Sequence, residues 1–121
     1  MSDAPLIAFL HALRDEFGLP VTTLVPMDRP DLFIRVDFAN GRADTPITET
    51  RLVAIQVYGT DLDEVVELAY NLRMFLMDRV YATSTKIVWW DEQAGPHEFP
   101  DPDLDTVYRW QITGNLTLTL A

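Results

Sequence analysis

Cysteine is absent from the chain. Disulfide bonds, thiolate metal sites and a cysteine nucleophile are therefore excluded, and a disulfide-dense secreted scaffold is excluded with them. Basic residues are scarce, because nine Lys and Arg stand against 19 Asp and Glu, which gives a formal charge of −10. A strongly acidic surface repels phosphate backbones, so we do not expect the chain to bind nucleic acid through a basic patch.

Long hydrophobic runs are also missing from the sequence. No apolar stretch approaches the roughly 18 residues that would span a bilayer, so we expect no contact with a membrane. The first ten residues carry no basic side chain and lack the apolar run of a secretory signal. These features predict a soluble product that is made and kept in a cytoplasm.

What the chain does contain is typical of one globular domain. Its 121 residues are 48% apolar and 23% charged, which are ordinary proportions for a folded protein. A chain of this length buries roughly two-thirds of its unfolded surface, enough for a core without disulfides or metals. We therefore expect a single domain over residues 1–121.

Two helices are predicted by apolar residues that recur every three or four positions. The first covers about Ala4–Phe17, with Ser2 or Asp3 as its N-cap, because a short oxygen-bearing side chain accepts from the free N–H groups of the first turn. The second covers about Asp61–Val80, with acids in its first turns, where the helix dipole favours negative charge.

Alternating or β-branched segments predict five strands, at Val21–Val25, Leu32–Phe38, Arg51–Tyr58, Lys86–Trp90 and from Val107 to Leu120. The last has the clearest period of two, weakened at Gly114, where we expect a bulge or bend. Between strands we expect a turn at Asn40-Gly41, a loop over Gly41–Glu49 and a proline-rich acidic loop over Asp91–Asp105.

The element order is therefore α-β-β-β-α-β-β. This order predicts an α+β fold in which two helices pack on one face of a mostly antiparallel sheet of four to five strands.

The second helix carries more apolar surface than one sheet can cover. One arc can face the sheet and contains Val65, Leu68, Ala69, Leu72, Phe75 and Leu76. A neighbouring arc contains Val66, Tyr70, Met74, Met77 and Tyr81. Together the arcs exceed half of the helix circumference, whereas one sheet needs a stripe somewhat over 100° wide. Either the first helix or another subunit covers the second arc, and its Tyr and Met residues favour a subunit.

Signatures of catalysis are weak. Phosphate-binding glycine loops, G-x-S-x-G and H-E-x-x-H are all missing. Trp89 and Trp90 could stack on a ligand, but neighbouring strand residues point to opposite faces, so we expect at least one to pack in the core.

The acidic loop is the one place where the sequence hints at a metal. His97 lies there near Glu98, Asp101 and Asp103. Asp101, Asp103 and Asp105 also match the D-x-D-x-D pattern with which a calcium-binding loop begins. The calcium pattern then fails, because Thr106 stands where Gly is needed and Ile112 where a bidentate Glu is needed. We therefore predict neither a metal nor a cofactor.

The order of short motifs resembles a known family. The motifs are Arg35-Val36-Asp37, Asn40-Gly41-Arg42, Val57-Tyr58-Gly59, Glu67-Leu68-Ala69, Asn71-Leu72-Arg73, Gly95-Pro96, Pro100-Asp101-Pro102 and Tyr108-Arg109-Trp110-Gln111. From about residue 21 to 120, their order and spacing are similar to those of the tail terminator, or tail completion, proteins of long-tailed bacteriophages, particularly phages of actinobacteria. The family often has Arg-Tyr-Gln in the last strand, where this chain has Arg109-Trp110-Gln111.

The resemblance implies a structural virion protein without catalysis or a cofactor. Members of this family form a ring, typically a homo-oligomer of six subunits, at the head-proximal end of a siphovirus tail tube. The ring stops polymerisation of the major tail tube protein and joins the tail to neck or connector proteins. DNA passes through it without specific binding, which suits an acidic chain. The expected location is the virion, and the host cytoplasm during assembly.

Closing a ring requires two different complementary patches on each subunit. We expect the second arc of the long helix or the acidic loop to contribute to one patch, through the candidate interface residues Tyr70, Met74, Met77, Tyr81, Asp91, Glu92, Glu98, Asp101 and Asp103.

Three alternatives remain at this point. One is a head-side connector or neck component, which is also ring-forming. A second is a small acidic hydrolase that uses the loop carboxylates and His97. The third is a regulatory module that binds a basic partner through its negative charge.

Overall fold

The computed structural model describes residues 5–120. The helices are α1 (Pro5–Phe17) and α2 (Leu62–Asp78), and a short 3₁₀ turn, Val80–Ala82, follows α2. The strands are β1 (Val21–Thr22), β2 (Leu32–Thr45), β3 (Thr48–Gly59), β4 (Ile87–Glu98) and β5 (Tyr108–Thr119). The predicted start of the first helix at Ala4, with Ser2 or Asp3 as its cap, lies outside the described residues.

The five strands form one sheet in the order β1-β2-β3-β5-β4. Neighbouring strands are antiparallel except for the short parallel pair of β1 and β2. The predicted α+β fold and the order α-β-β-β-α-β-β are confirmed, although the sheet is mixed because of β1.

Both helices pack on the same face of the sheet. That face presents alternate residues of the central strands, of which Val53, Ile55, Ile112 and Leu116 are almost fully buried. Helix α1 contributes Phe9, whose aromatic ring meets that of Phe38 in β2 edge to face at 6.3 Å. The core therefore lies between the two helices and this face, as a period of two in the strands and of three to four in the helices dictates.

The signals at the helix ends act as expected. Helix α1 ends at Gly18, which has a φ of +62° and donates its N–H to the Arg14 carbonyl at 2.9 Å. Helix α2 begins after Asp61, whose carboxylate accepts from the N–H of Asp63 at 2.9 Å.

The predicted turn at Asn40-Gly41 and the loop over Gly41–Glu49 are wrong. Strand β2 continues to Thr45 and β3 begins at Thr48, so the turn lies at Pro46 and Ile47. Asn40 instead falls in a register shift between Phe38 and Gly41, which is a bulge. Asn-Gly permits a tight turn but does not require one.

Cross-strand contacts explain why pairing continues beyond this bulge. Arg51 of β3 donates to the Ala39 carbonyl at 2.9 Å and lies 3.6 Å from the carboxylate of Glu49. Its guanidinium also packs beside Gly41, where a side chain would meet it.

The predicted acidic loop over Asp91–Asp105 is also too long. Strand β4 runs to Glu98 and pairs with β5, so the irregular connection is residues 99–107. β4 is an edge strand with register shifts at Val88, Gln93 and Gly95-Pro96. Edge strands tolerate bulges, glycine, proline and charge, which gives them a loop-like composition.

The expected irregularity at Gly114 does not occur in β5, which pairs with β3 without a register shift. The shifts lie in the neighbouring β4. Gly114 instead makes room for Trp90, which is 4% exposed. A Cβ on Gly114 would lie 2.7 Å from the Trp90 ring atom Cη2 and 2.7 Å from the Asp91 carbonyl oxygen.

We predict that Gly114→Ala lowers the free energy of unfolding by about 1–3 kcal/mol, because the added methyl group overpacks the core against Trp90 and a backbone oxygen. Gly95→Ala is the matched control, since a Cβ there would meet Arg73 and Glu92 at an ordinary 3.5 Å. Urea denaturation of both variants measures the difference. Equal stability of the two variants would contradict the assigned role of Gly114.

Candidate functional site

The second arc of α2 is open to solvent. Its side chains Tyr70, Met74 and Met77 are 46%, 58% and 50% exposed, whereas Val66 is half-buried. Tyr81, predicted as part of this arc, lies beyond α2 in the 3₁₀ turn and is 46% exposed. The arc predicted to face the sheet is buried, from Val65 to Leu76. Of the two coverings that the sequence left open, α1 is therefore not the one that covers the second arc.

The position of α1 explains this exposure. Phe17 of α1 meets Phe75 edge to face at 5.7 Å, and Glu16 forms an ion pair with Arg79. Phe75 lies on the side of α2 away from Tyr70 and Met74, because helical residues turn by about 100° each. With α1 on one side and the sheet beneath, the opposite side of α2 stays free.

The exposed arc continues onto the edge of the sheet. The aromatic ring of Tyr81 lies 6.4 Å from that of Trp89 in β4, and Trp89 is 56% exposed. Its neighbour Trp90 is buried, which confirms the expectation that at least one of the two tryptophans packs in the core. We call Tyr70, Met74, Met77, Tyr81 and Trp89 the apolar flank.

The acidic candidates do not form one cluster. Asp91, Glu98 and Asp103 are exposed. Glu92 accepts from the Arg73 guanidinium at 2.9 Å and so ties β4 to α2. Asp101 turns inward to the side of the sheet that faces away from the helices. The acids therefore serve different purposes, and charge alone does not mark a binding site.

A buried polar network that the sequence did not predict lies on this second face of the sheet. Arg109 of β5 donates to the Tyr58 hydroxyl at 3.1 Å, and this hydroxyl donates to Asp101 Oδ2 at 3.3 Å. Beneath them the rings of Phe33 and Tyr58 stack at 4.7 Å. Two features of the sequence could have indicated it. Arg109 is the one charged residue on the polar side of β5, and its partner Tyr58 belongs to β3, a strand that is apolar on both sides.

Arg35 completes the network from β2. Its guanidinium donates to the Tyr58 hydroxyl at 3.3 Å and to Asp37 Oδ1 at 3.2 Å. Burial works to lower the pKa of Arg35, but the hydrogen bond to Tyr58 and the charge of Asp37 outweigh it and raise the pKa above its usual value. Arg35 therefore stays charged throughout the ordinary pH range.

His97 does not assemble the metal site considered from the sequence. Its Nδ1 lies 2.8 Å from the Gly95 carbonyl oxygen, and its ring meets that of Phe99 at 6.2 Å. Within residues 5–120, no three His, Asp or Glu side chains come together in a way that could hold a metal ion.

The sheet has two free lateral edges within the described part of the chain. β4 is outermost on one side and pairs with β5 alone. On the other side, β1 pairs with β2 at Ile34 and Arg35, so the stretch of β2 from Val36 to Thr45 has β3 as its strand partner.

Comparison with known proteins adds no relative: no protein-family model matches the chain, and no curated protein sequence matches it. Across residues 5–120, no helix has the length and apolar character needed to cross a bilayer.

We predict that replacing both Met74 and Met77 by Ala changes the free energy of unfolding of the monomeric chain by less than about 1 kcal/mol, because both side chains are half-exposed. Phe75→Ala, at a fully buried position between them, should cost about 3–5 kcal/mol. Urea denaturation at low protein concentration measures both. A large loss in the methionine variant would show that the flank belongs to the core of the subunit.

Proposed function

We propose that the chain is a structural subunit that closes into a homo-oligomeric ring, and that this ring is a tail terminator at the head-proximal end of a phage tail tube. The observation that carries the proposal is the apolar flank, where Tyr70, Met74 and Met77 share one side of α2, Tyr81 meets Trp89, and each of the five side chains is about half exposed. An exposed apolar patch of this kind is typical of a protein–protein contact. The motif order of the sequence supplies the tail terminator as the particular ring.

Burial of the flank between subunits would contribute a favourable free energy to association. Full burial of a large apolar side chain is worth about 1.5–3 kcal/mol, so covering the exposed half of each flank residue is worth about 1 kcal/mol. Aromatic residues and methionine dominate the flank, and these types are enriched in the centres of interfaces. Repeated around a closed ring, one such contact per subunit stabilises the whole assembly.

The arrangement of the sheet supports a head-to-tail contact. The flank lies at the β4 side of the molecule, whereas the free part of β2 lies at the opposite side. β4 and β2 run antiparallel to each other, because each step from β2 to β3, β5 and β4 reverses direction. A neighbouring copy can therefore present its β2 edge to β4 in antiparallel register. Two different surfaces of one subunit then meet, which is what ring closure needs.

The charge of the chain is consistent with a channel for DNA. A formal charge of −10 repels a phosphate backbone over about a Debye length, ~8–10 Å. DNA that passes through such a ring would not be held. The major tail tube protein and the neck or connector proteins are the partners proposed at the two faces of the ring.

We predict that Tyr70→Ala combined with Met77→Ala abolishes or strongly weakens ring assembly while the subunit stays folded, because the flank loses two of its five large side chains and both are about half exposed in the subunit. Mass measured by light scattering, with and without tail tubes, reports assembly, and electron microscopy shows whether tube ends are capped. Tyr108→Ala is the matched control, since Tyr108 is 46% exposed, as Tyr70 is, but lies in the interior strand β5, outside the flank and both sheet edges.

Two results would contradict the proposal. Rings that form normally in the double variant would place the subunit contact elsewhere. Rings that bind the portal side of the capsid and leave tube ends bare would favour the neck component over the terminator.

A further inference from the structure

The connection between β4 and β5, residues 99–107, folds back over the second face of the sheet, and we call it the strap. Its first residue continues the ladder for one step, because the Phe99 N–H donates to the Arg109 carbonyl at 2.9 Å. After that the strap leaves the sheet edge and forms a turn in which the Leu104 N–H donates to the Asp101 carbonyl at 3.1 Å.

One guanidinium holds three consecutive residues of the strap. Arg109 Nε donates to the Phe99 carbonyl at 2.5 Å, and Nη2 donates to the Pro100 carbonyl at 3.1 Å. Arg109 Nη1 lies 3.7 Å from Asp101 Oδ2. The guanidinium also stacks 4.5 Å from the centre of the Phe99 ring. The planar fork of Arg suits this task, because it aims several N–H groups at fixed angles.

The start of the strap lies beside a buried pair of aromatic rings, Phe33 and Tyr58. Phe33 and Tyr58 are 1% and 0% exposed, although both are on the face of the sheet that the helices leave free. The Tyr58 hydroxyl reaches the strap through Asp101 at 3.3 Å. Asp101 and Arg109 therefore contribute to the burial of Tyr58, on which Phe33 stacks.

The rest of the strap has little attachment. Pro102, Asp103, Asp105 and Thr106 are exposed, and Leu104 is half-buried. Two prolines, Pro100 and Pro102, fix φ and so reduce the entropy lost when the segment closes. A segment with few apolar contacts, joined to a rigid sheet by one cluster of polar contacts, is the kind of unit that opens locally while the rest of the fold stays intact.

We propose that the strap is a latch that opens and closes independently of the sheet, with Arg109 as the positioning residue that holds it shut. In the closed state the latch covers the Tyr58 hydroxyl through Asp101, and Asp103 and Asp105 stay exposed. Opening uncovers a flat surface of two aromatic rings beside the guanidiniums of Arg35 and Arg109. The strap and the apolar flank lie on opposite faces of the sheet.

Hydrogen exchange of the full chain in low concentrations of urea tests the latch. Exchange through local opening is insensitive to urea, because little new surface is exposed, whereas exchange through global unfolding accelerates steeply. We expect the Phe99 and Leu104 amides to exchange by the first route and the amides of β3 and β5 by the second. If the exchange rates of the strap amides depend on urea concentration as steeply as those of the β3 and β5 amides, the strap is not an independent unit and the proposal fails.

The Arg109→Lys variant tests whether Arg109 holds the strap closed. Lysine keeps the positive charge but cannot reach the Phe99 and Pro100 carbonyls together, so we expect exchange at Phe99 and Leu104 to accelerate at least tenfold while β3 and β5 keep their protection. Arg14→Lys is the matched control, because Arg14 also donates two N–H groups to a backbone carbonyl, that of Val21, at 3.2 and 2.7 Å. It should leave strap exchange unchanged.

Two outcomes of this second experiment would overturn the role of Arg109. Unchanged strap exchange in Arg109→Lys would mean that other contacts hold the strap. Acceleration spread evenly over the whole sheet, or loss of folding, would mean that Arg109 stabilises the fold as a whole. Asp101→Asn, which removes one charge and keeps the shape, should give a smaller acceleration limited to the same amides.

Discussion

The pairing of β3 with β5 is the interaction on which the other parts of the molecule depend. Its register runs without a shift from Thr48 opposite Thr119 to Gly59 opposite Tyr108. Both strands lie inside the sheet, so each of their faces must be covered or made polar. The helices cover one face through residues such as Ile55 and Ile112, and the strap covers one end of the other face.

The apolar flank follows from the same constraint. α2 must lie on the face formed by β3, β5 and β4 to bury its first arc, and α1 packs against Phe75 on one side of it. Since α1 is the one other helix in the described residues, it can cover one side of α2 and leaves the other side exposed. The exposed Tyr and Met residues are thus a consequence of fold size, and a second copy of the chain is the covering that the proposed ring supplies.

The acidic side chains of this protein have two roles, depending on whether they are paired or exposed to solvent. Glu92 joins β4 to α2 through Arg73, and Asp101 joins the strap to Tyr58 and Arg109. Asp91, Glu98 and Asp103 stay in solvent, where they add to the net charge of the surface. An acid that pairs with a buried guanidinium organises the backbone around it, whereas an exposed acid contributes through long-range repulsion. The same residue type therefore supports the fold in one place and the proposed DNA channel in another.

The order of the elements, the helix ends at Gly18 and Asp61, and the apolar arcs of α2 could all be predicted from the sequence, because these depend on local backbone preferences and on periodicity. The sequence did not determine the length of the β2–β3 hairpin or of β4. Asn40-Gly41 and Gly95-Pro96 have the local chemistry of turns, and cross-strand partners decided that they are bulges. Only the tertiary structure revealed that Arg109, Tyr58 and Asp101 meet, since they come from three separate segments. Contacts between distant segments have no local signal, because they form where topology brings together side chains that the chain itself keeps apart.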